Sequence, residues 1–188
     1  TYQNTMQKRQ VTGGAESIAS FLSLAQGEAI KRNETIAISF KRASDGSSWC
    51  AGAMIRTAAT DHCDCEETTA TENDYCDFNP GGAGAPRIIN QAGFDDFTVI
   101  TEKKAAVDND FNFNFDPVRG IKVDDAGSAD ADSHEITLAS SNGKYSLRVG
   151  MSVTGRIRIC NPDTDKKVPG FKPCPIRIIA PPPPSPFT

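Results

Sequence analysis

Val11, Ala15, Ile18, Leu22, Ala25 and Ala29 recur at alternating spacings of four and three. That spacing puts them on one face of a 3.6-residue period and predicts a helix over residues 1–32, with Phe21 widening the stripe. Lys31 and Arg32 fall in its last turn, where cations suit the helix dipole, and Asn33 is placed to end it. Gly13 and Gly14 weaken the middle and predict a kink. Thr1 to Gln10 is polar almost all round and would be unstable as an isolated helix start.

After Asn33 the period drops to two. Thr35 to Phe40 alternates as a half-buried strand, and Ser47-Ser48-Trp49-Cys50 leads into a second strand at Ala51 to Arg56. The two predict a hairpin across Asp45-Gly46. Ile88-Ile89, Phe97 to Thr101, Phe111 to Phe115, Glu135 to Ala139, Lys144 to Val149 and Ser152 to Cys160 are further strand candidates. Asp116-Pro117 with Arg119-Gly120, and Ser141-Asn142-Gly143, supply turns. Thr57 to Gly84 is a polar, cysteine-bearing loop, long enough to need pinning inside a compact domain. Val123 to Asp132 is acidic and loop-like, and Pro181 to Pro184 begins an extended, polyproline-like tail. One helix followed by many antiparallel strands is an α+β organisation: a helical segment at 1–32, then a β-rich head at 33–188.

Composition narrows this picture. The chain of 188 residues is long enough for one sizeable core, and its net charge of −4 argues against global attraction to a polyanion. Six cysteines, at 50, 63, 65, 76, 160 and 174, suggest a disulfide framework and an oxidising compartment. Cys160 and Cys174 should pair, in a fold-back loop favoured by Pro162, Pro169, Gly170 and Pro173. Cys63 and Cys65 are too close to bridge each other comfortably, so they should pair with Cys50 and Cys76, in either order. His62-Cys63-Asp64-Cys65 looks like a zinc ligand set, but no C-x-x-C spacing accompanies it. No signal peptide or membrane-length apolar run is present, yet disulfides would require export; processing or truncation is expected to have removed a targeting segment, and a chain that opens inside a helical pattern favours truncation.

Chemistry adds little. A hydrolytic site would need His62 or His134 beside an activated nucleophile; no nucleophile elbow surrounds any serine, and His134 reads as a surface histidine. Asp124, Asp125, Asp130, Asp132 and Glu135 lack EF-hand spacing and read as a solvated acidic loop. Asp108, Asp110, Asn112, Asn114 and Asp116 read as an exposed strand face opposite Phe111, Phe113 and Phe115. Gly81-Gly82-Ala83-Gly84 lacks the lysine and context of a phosphate loop. Neither enzymatic activity nor a cofactor is expected.

Four segments in order resemble the GspH/FimT family of minor pilins and pseudopilins. They are Ala25-Gln26-Gly27-Glu28-Ala29-Ile30-Lys31-Arg32-Asn33 with the strand after it, the Trp49-centred strand, Phe115-Asp116-Pro117-Val118-Arg119-Gly120, and Val153-Thr154-Gly155-Arg156-Ile157-Arg158-Ile159-Cys160. The resemblance covers roughly residues 10 to 176. It implies a filament subunit whose apolar N-terminal helical segment anchors it in the inner membrane, is trimmed and methylated there, and then packs with other major and minor pilins in the filament core. The head would stand in the periplasm and later on a cell-surface pilus. Function would be structural and priming in a type IV pilus; the alternatives are a type II secretion pseudopilin, or a tip-located subunit that captures DNA or a surface. Arg156 and Arg158, alternate residues of one strand, are the candidate DNA contacts, with Arg148 and Lys144 extending them, and binding should be weak.

Overall fold

A computed structural model describes residues 2–43, 48–58, 62–79, 86–90, 97–102, 110–132 and 134–175, with 97–102 described by its backbone. The turn across Asp45-Gly46, the glycine run at 81–84, Asp108 and the proline-rich tail lie outside these residues. A single helix, α1 (Tyr2–Arg32), is followed by β1 (Ile36–Arg42), β2 (Trp49–Ile55), β3 (Ile88–Asn90), β4 (Phe97–Glu102), β5 (Phe111–Phe115), β6 (Lys122–Val123), β7 (His134–Ser140), β8 (Ser146–Met151) and β9 (Ile157–Cys160). Every strand pair is antiparallel, in two sheets ordered β3-β2-β1-β5-β6 and β4-β7-β8-β9. The fold is α+β, as the pattern predicts.

The predicted stripe, Val11, Ala15, Ile18, Leu22, Ala25 and Ala29, is buried, and Gly14 is buried beside it. These residues share one core with Ile36, Ile38 and Phe40 of β1, alternate residues of β2 and β5, and Leu138, Leu147 and Val149 of the second sheet. Phe40 lies between Trp49 and Phe111, with ring centroids at 5.8 and 5.3 Å and planes within 3° and 7° of parallel. α1 runs without a break through Gly13 and Gly14. Tertiary support explains why a polar, glycine-bearing start holds its helix: Val11 is buried, Gln7 donates to Ser141 Oγ at 3.3 Å, and Lys8 stands 5.0 Å from the Tyr145 ring. The other end closes as expected. Asn33 takes φ 56°, its N–H reaching Ile30 O at 3.3 Å and that of Glu34 reaching Ala29 O at 3.2 Å, the two bonds of a Schellman cap.

β2 is buried along its whole length, so both of its faces are covered. Trp49, Ala51, Ala53 and Ile55 face the main core. Cys50 and Met54 join Ala37, Cys63, Cys65 and Cys76 in a second, smaller core. The cysteine-rich loop thus lies over the far side of the first sheet. Ile55 N–H donates to Asp77 O of that loop at 3.3 Å, and Ala53 N–H to Arg87 O, just before β3, at 3.0 Å.

Four sequence expectations need correction. The acidic stretch is not wholly solvated, since Asp130 pairs with the buried Lys122 at 3.1 Å and Glu135 with Arg148 at 2.9 Å. Asn114 is fully buried rather than exposed, because the 124–130 loop folds over that face and Asn114 Nδ2 donates to Asp125 Oδ1 at 3.0 Å. His134 is 4% exposed, not a surface histidine, since it begins β7 against the rings of Phe111 and Phe113. The last strand starts at Ile157, not Ser152: residues 152–155 form a turn, with Gly155 at φ 76° and its N–H on Ser152 O at 2.9 Å.

Candidate functional site

The C-terminal third of α1 gathers three of the four segments that carry the family resemblance. Gln26 is at their meeting point. Its Nε2 donates to Gly120 O at 2.6 Å and to Gly155 O at 3.0 Å. Both glycines have positive φ, 63° and 76°, which a side chain would strain. Both also lack room: a Cβ on Gly120 would stand 3.0 Å from Ile30 Cδ1, and one on Gly155 would overlap Gly120 O. The first turn is built by Asp116. Its Oδ1 accepts the N–H groups of Val118 at 3.0 Å and Arg119 at 2.7 Å, and its main-chain oxygen accepts that of Gly120 at 2.9 Å. The Arg119 guanidinium reaches Asp116 Oδ2 at 3.1 Å, and these bonds hold the Asp116 carboxyl below the usual aspartate range. The turn therefore gains stability above the ordinary carboxylate pKa and loses it as pH falls through the lowered one.

This clasp fixes the helix end against both sheets, since Gly120 precedes β6 and Gly155 precedes β9. Gln26→Ala would leave two part-buried carbonyls without their donor, at about 1–3 kcal/mol. The expected result is a lower urea midpoint, with Gln26→Glu at least as damaging because it replaces the donor with an acceptor. Glutamate as stable as wild type would mean the carbonyls do not depend on this amide.

On the outer side of α1, Leu24 and Ile30 are 49% and 53% exposed, and Val118, in the adjoining turn, is 80% exposed. Below the helix end, Arg32 donates to Phe78 O at 2.8 Å and lies 5.7 Å from the Phe78 ring, tying the cysteine loop to α1.

The cysteines form Cys50–Cys65, Cys63–Cys76 and Cys160–Cys174, with Cα atoms 5.8, 5.0 and 4.9 Å apart. That resolves the order left open by spacing. Lys41 Nζ bridges to Asp64 Oδ2 at 2.6 Å, a hydrogen bond that holds the Asp64 carboxyl below its ordinary value and pins the loop between the two disulfides. Asn161 organises the last loop: its side chain is bonded to Val168 N and O at 2.8 and 3.1 Å and to Phe171 O at 2.6 Å. Arg156 and Arg158 are both exposed. Arg148 is instead held by Glu135 at 2.9 Å and Thr137 at 3.1 Å. Gln26, Asn161 and the buried Lys122 were missed in the sequence. Among the described residues, no group of acids, histidines and cysteines is arranged to hold a metal ion, and no helix is long and apolar enough to cross a membrane.

Residues 14–168 match the family described as type II transport protein GspH. The chain belongs to the GspH family. This is the family of pilin-type structural subunits that the sequence resembles, and it supports a minor pilin role in a type IV pilus or a pseudopilus. Two crystal structures of the Pseudomonas aeruginosa type IV minor pilin FimU are similar to the chain. One has 17% identity and a TM-score of 0.45, covering 89% of this chain and 98% of that one; the other has 18% identity and a TM-score of 0.42, covering 85% and 98%. The assignment rests on the family match, not on these likenesses. No curated protein gives a significant match.

Proposed function

We propose that this GspH-family chain serves as a priming minor pilin of a type IV pilus. The observation that supports this is the two-sided use of α1. One face is sealed into the head, while Leu24 and Ile30, about 120° apart around the helix, stay exposed on its two flanks, with Val118 exposed in the turn whose Gly120 lies beside Ile30. A helix 31 residues long spans about 46 Å, so it can bind its own head and a neighbouring pilin at once. In this reading an apolar segment upstream of residue 1 anchors the subunit in the inner membrane with its head in the periplasm. The segment later packs with other pilins in a surface filament. Leu24→Asp combined with Val118→Asp should leave the melting temperature of the purified head nearly unchanged while sharply reducing surface pili in cells. Normal piliation would remove this face from assembly. Pili kept but protein secretion lost would place the subunit in a type II system.

A second reading is favoured by the exposure of Arg156 and Arg158 and of Lys166, Lys167 and Lys172 in the adjoining disulfide loop. They are exposed cations on a chain of net charge −4, with Asp163 and Asp165 in the same loop. We propose weak DNA contact there, with few phosphates neutralised and hence a shallow salt slope. A titration should show binding at low salt that vanishes at moderate salt, and that Arg156→Ala with Arg158→Ala abolishes. Binding absent at low salt, or unaffected by the double substitution, leaves the structural role alone.

A further inference from the structure

Lys122 has no exposed side-chain surface, and its Nζ stands 6.0 Å from the centroid of the Phe113 ring. Removing an ammonium from water is costly unless its partners are well placed, so the groups facing Nζ matter. Asp130 Oδ2 lies at 3.1 Å, His134 Nδ1 at 2.8 Å, and the main-chain oxygen of Asp132 accepts a further bond. The side chains of Asp130 and His134 are only 12% and 2% exposed. The imidazole packs against both the Phe111 and Phe113 rings, at 4.9 and 5.3 Å.

This arrangement contains more than an ion pair requires. Asp130 Oδ1 accepts the N–H of Asp132 at 2.8 Å, so the carboxyl carbon is polarised by a main-chain donor. His134 Nδ1 reaches both reacting groups, at 2.8 Å from Nζ and 3.5 Å from Asp130 Oδ2. A nucleophile, an electrophile, an oxyanion donor and a proton carrier between them are all in place, with water largely excluded.

We propose that Lys122 and Asp130 condense to an intramolecular isopeptide bond. The step begins with one proton passing from Nζ to the carboxyl across their 3.1 Å contact, which leaves an amine and a carboxylic acid side by side. Nζ then attacks Cγ, and the carbonyl electron pair moves onto Oδ1 beneath the Asp132 N–H. His134 takes a proton from Nζ and delivers it to Oδ2. The Cγ–Oδ2 bond breaks, Oδ2 leaves as water, and the Cγ–Oδ1 double bond re-forms. Atoms and charge balance with no co-reactant: ammonium plus carboxylate gives amide plus water. The bond clips β6 to the loop that folds back through the Val123–Ala129 bridge. It would fix the acidic segment beside β5 whatever filament the protein serves.

Intact mass of the folded wild-type protein, after reduction and alkylation of the cysteines, tests this directly. The expected mass is one water below that of the sequence, with a branched peptide joining residues 122 and 130 after digestion. Lys122→Arg cannot form the amide and should restore the full mass, whether or not it folds stably. His134→Phe should leave a measurable uncross-linked fraction in freshly made protein. A folded wild type at full mass, with the Lys122 amine open to acylation once denatured, overturns the proposal and leaves a buried ion pair. A missing water that persists in Lys122→Arg also overturns it, by placing the dehydration elsewhere.

Discussion

Replacing Leu22 by alanine should cost the folded protein about 2–5 kcal/mol, a loss on α1 matched only by truncation of Ile18. Leu22 is 5% exposed and lies between Ile18 and Ala25 on the face that α1 shares with both sheets. Small residues dominate that face, with Gly14, Ala15, Ala25 and Ala29 letting the helix backbone approach the sheets closely. The bulk of the contact therefore falls on Val11, Ile18 and Leu22. A cavity at Leu22 closes poorly, because the next stripe positions toward the helix end, Ala25 and Ala29, have no side chain to swing in. Leu24, two positions on and 49% exposed, provides the comparison. Leu24→Ala should stay within about half a kcal/mol of wild type. Urea unfolding of the two variants measures the difference. Equal, small effects would mean that α1 stands off the head in solution, and with it the one-sided packing on which the proposed function rests.

The helix could be read from the chain because its signal is periodic and redundant. Six apolar positions, two terminal cations and one asparagine all specify the same cylinder and the same end, and burial and φ follow them residue by residue. The strands could be read for a similar reason, down to the β7–β8 hairpin around Gly143, whose φ is 66°. Strand ends were less legible. Ser152 to Arg156 has strand-like alternation, but Gly155 needs a positive φ to bring its carbonyl to Gln26.

What escaped the sequence was decided by single tertiary contacts. Period-two alternation assigns Asn114 to solvent only if nothing covers that face, and the loop that covers it lies outside the strand's own pattern. Lys122 stands between Ile121 and Val123, where local sequence cannot tell an exposed lysine from one whose partners arrive from residues 130–134. Gln26 belongs to a segment that carries the resemblance, yet its role needs two carbonyls, 94 and 129 positions away. Cysteine spacing excluded a Cys63–Cys65 bridge but could not order the other pairs. That order depends on which sulfur meets β2 at Cys50 and which passes over Gly52.

Gly52→Ala should be, with Gly155→Ala, among the most damaging glycine substitutions in the described part of the chain. Gly52 sits at the middle of β2, opposite Ser39 of β1 and Ile88 of β3, so its backbone is held from both sides. The Cys63–Cys76 disulfide lies directly on it. A Cβ there would overlap Cys76 Sγ, stand 2.8 Å from Cys63 Sγ and 3.1 Å from Cys76 Cβ. Neither sulfur can swing away, since each is bonded to the other and buried in the second core. The strain must be taken up by the sheet or by the bridge. Overpacking alone costs about 1–3 kcal/mol, and failure to close the disulfide costs about 2–5 kcal/mol. Peptide mapping without reductant should therefore show free Cys63 and Cys76 in part of the Gly52→Ala protein, or else a fully bridged protein with a much lower urea midpoint. Gly13→Ala is the contrasting case. Its added Cβ meets nothing within 4 Å, and the residue lies inside a regular helix, so the substitution should stabilise by up to about 1 kcal/mol. If Gly52→Ala matched wild type in both bridging and midpoint, the cysteine loop would not rest on β2. The two-faced burial of that strand would then need another cause.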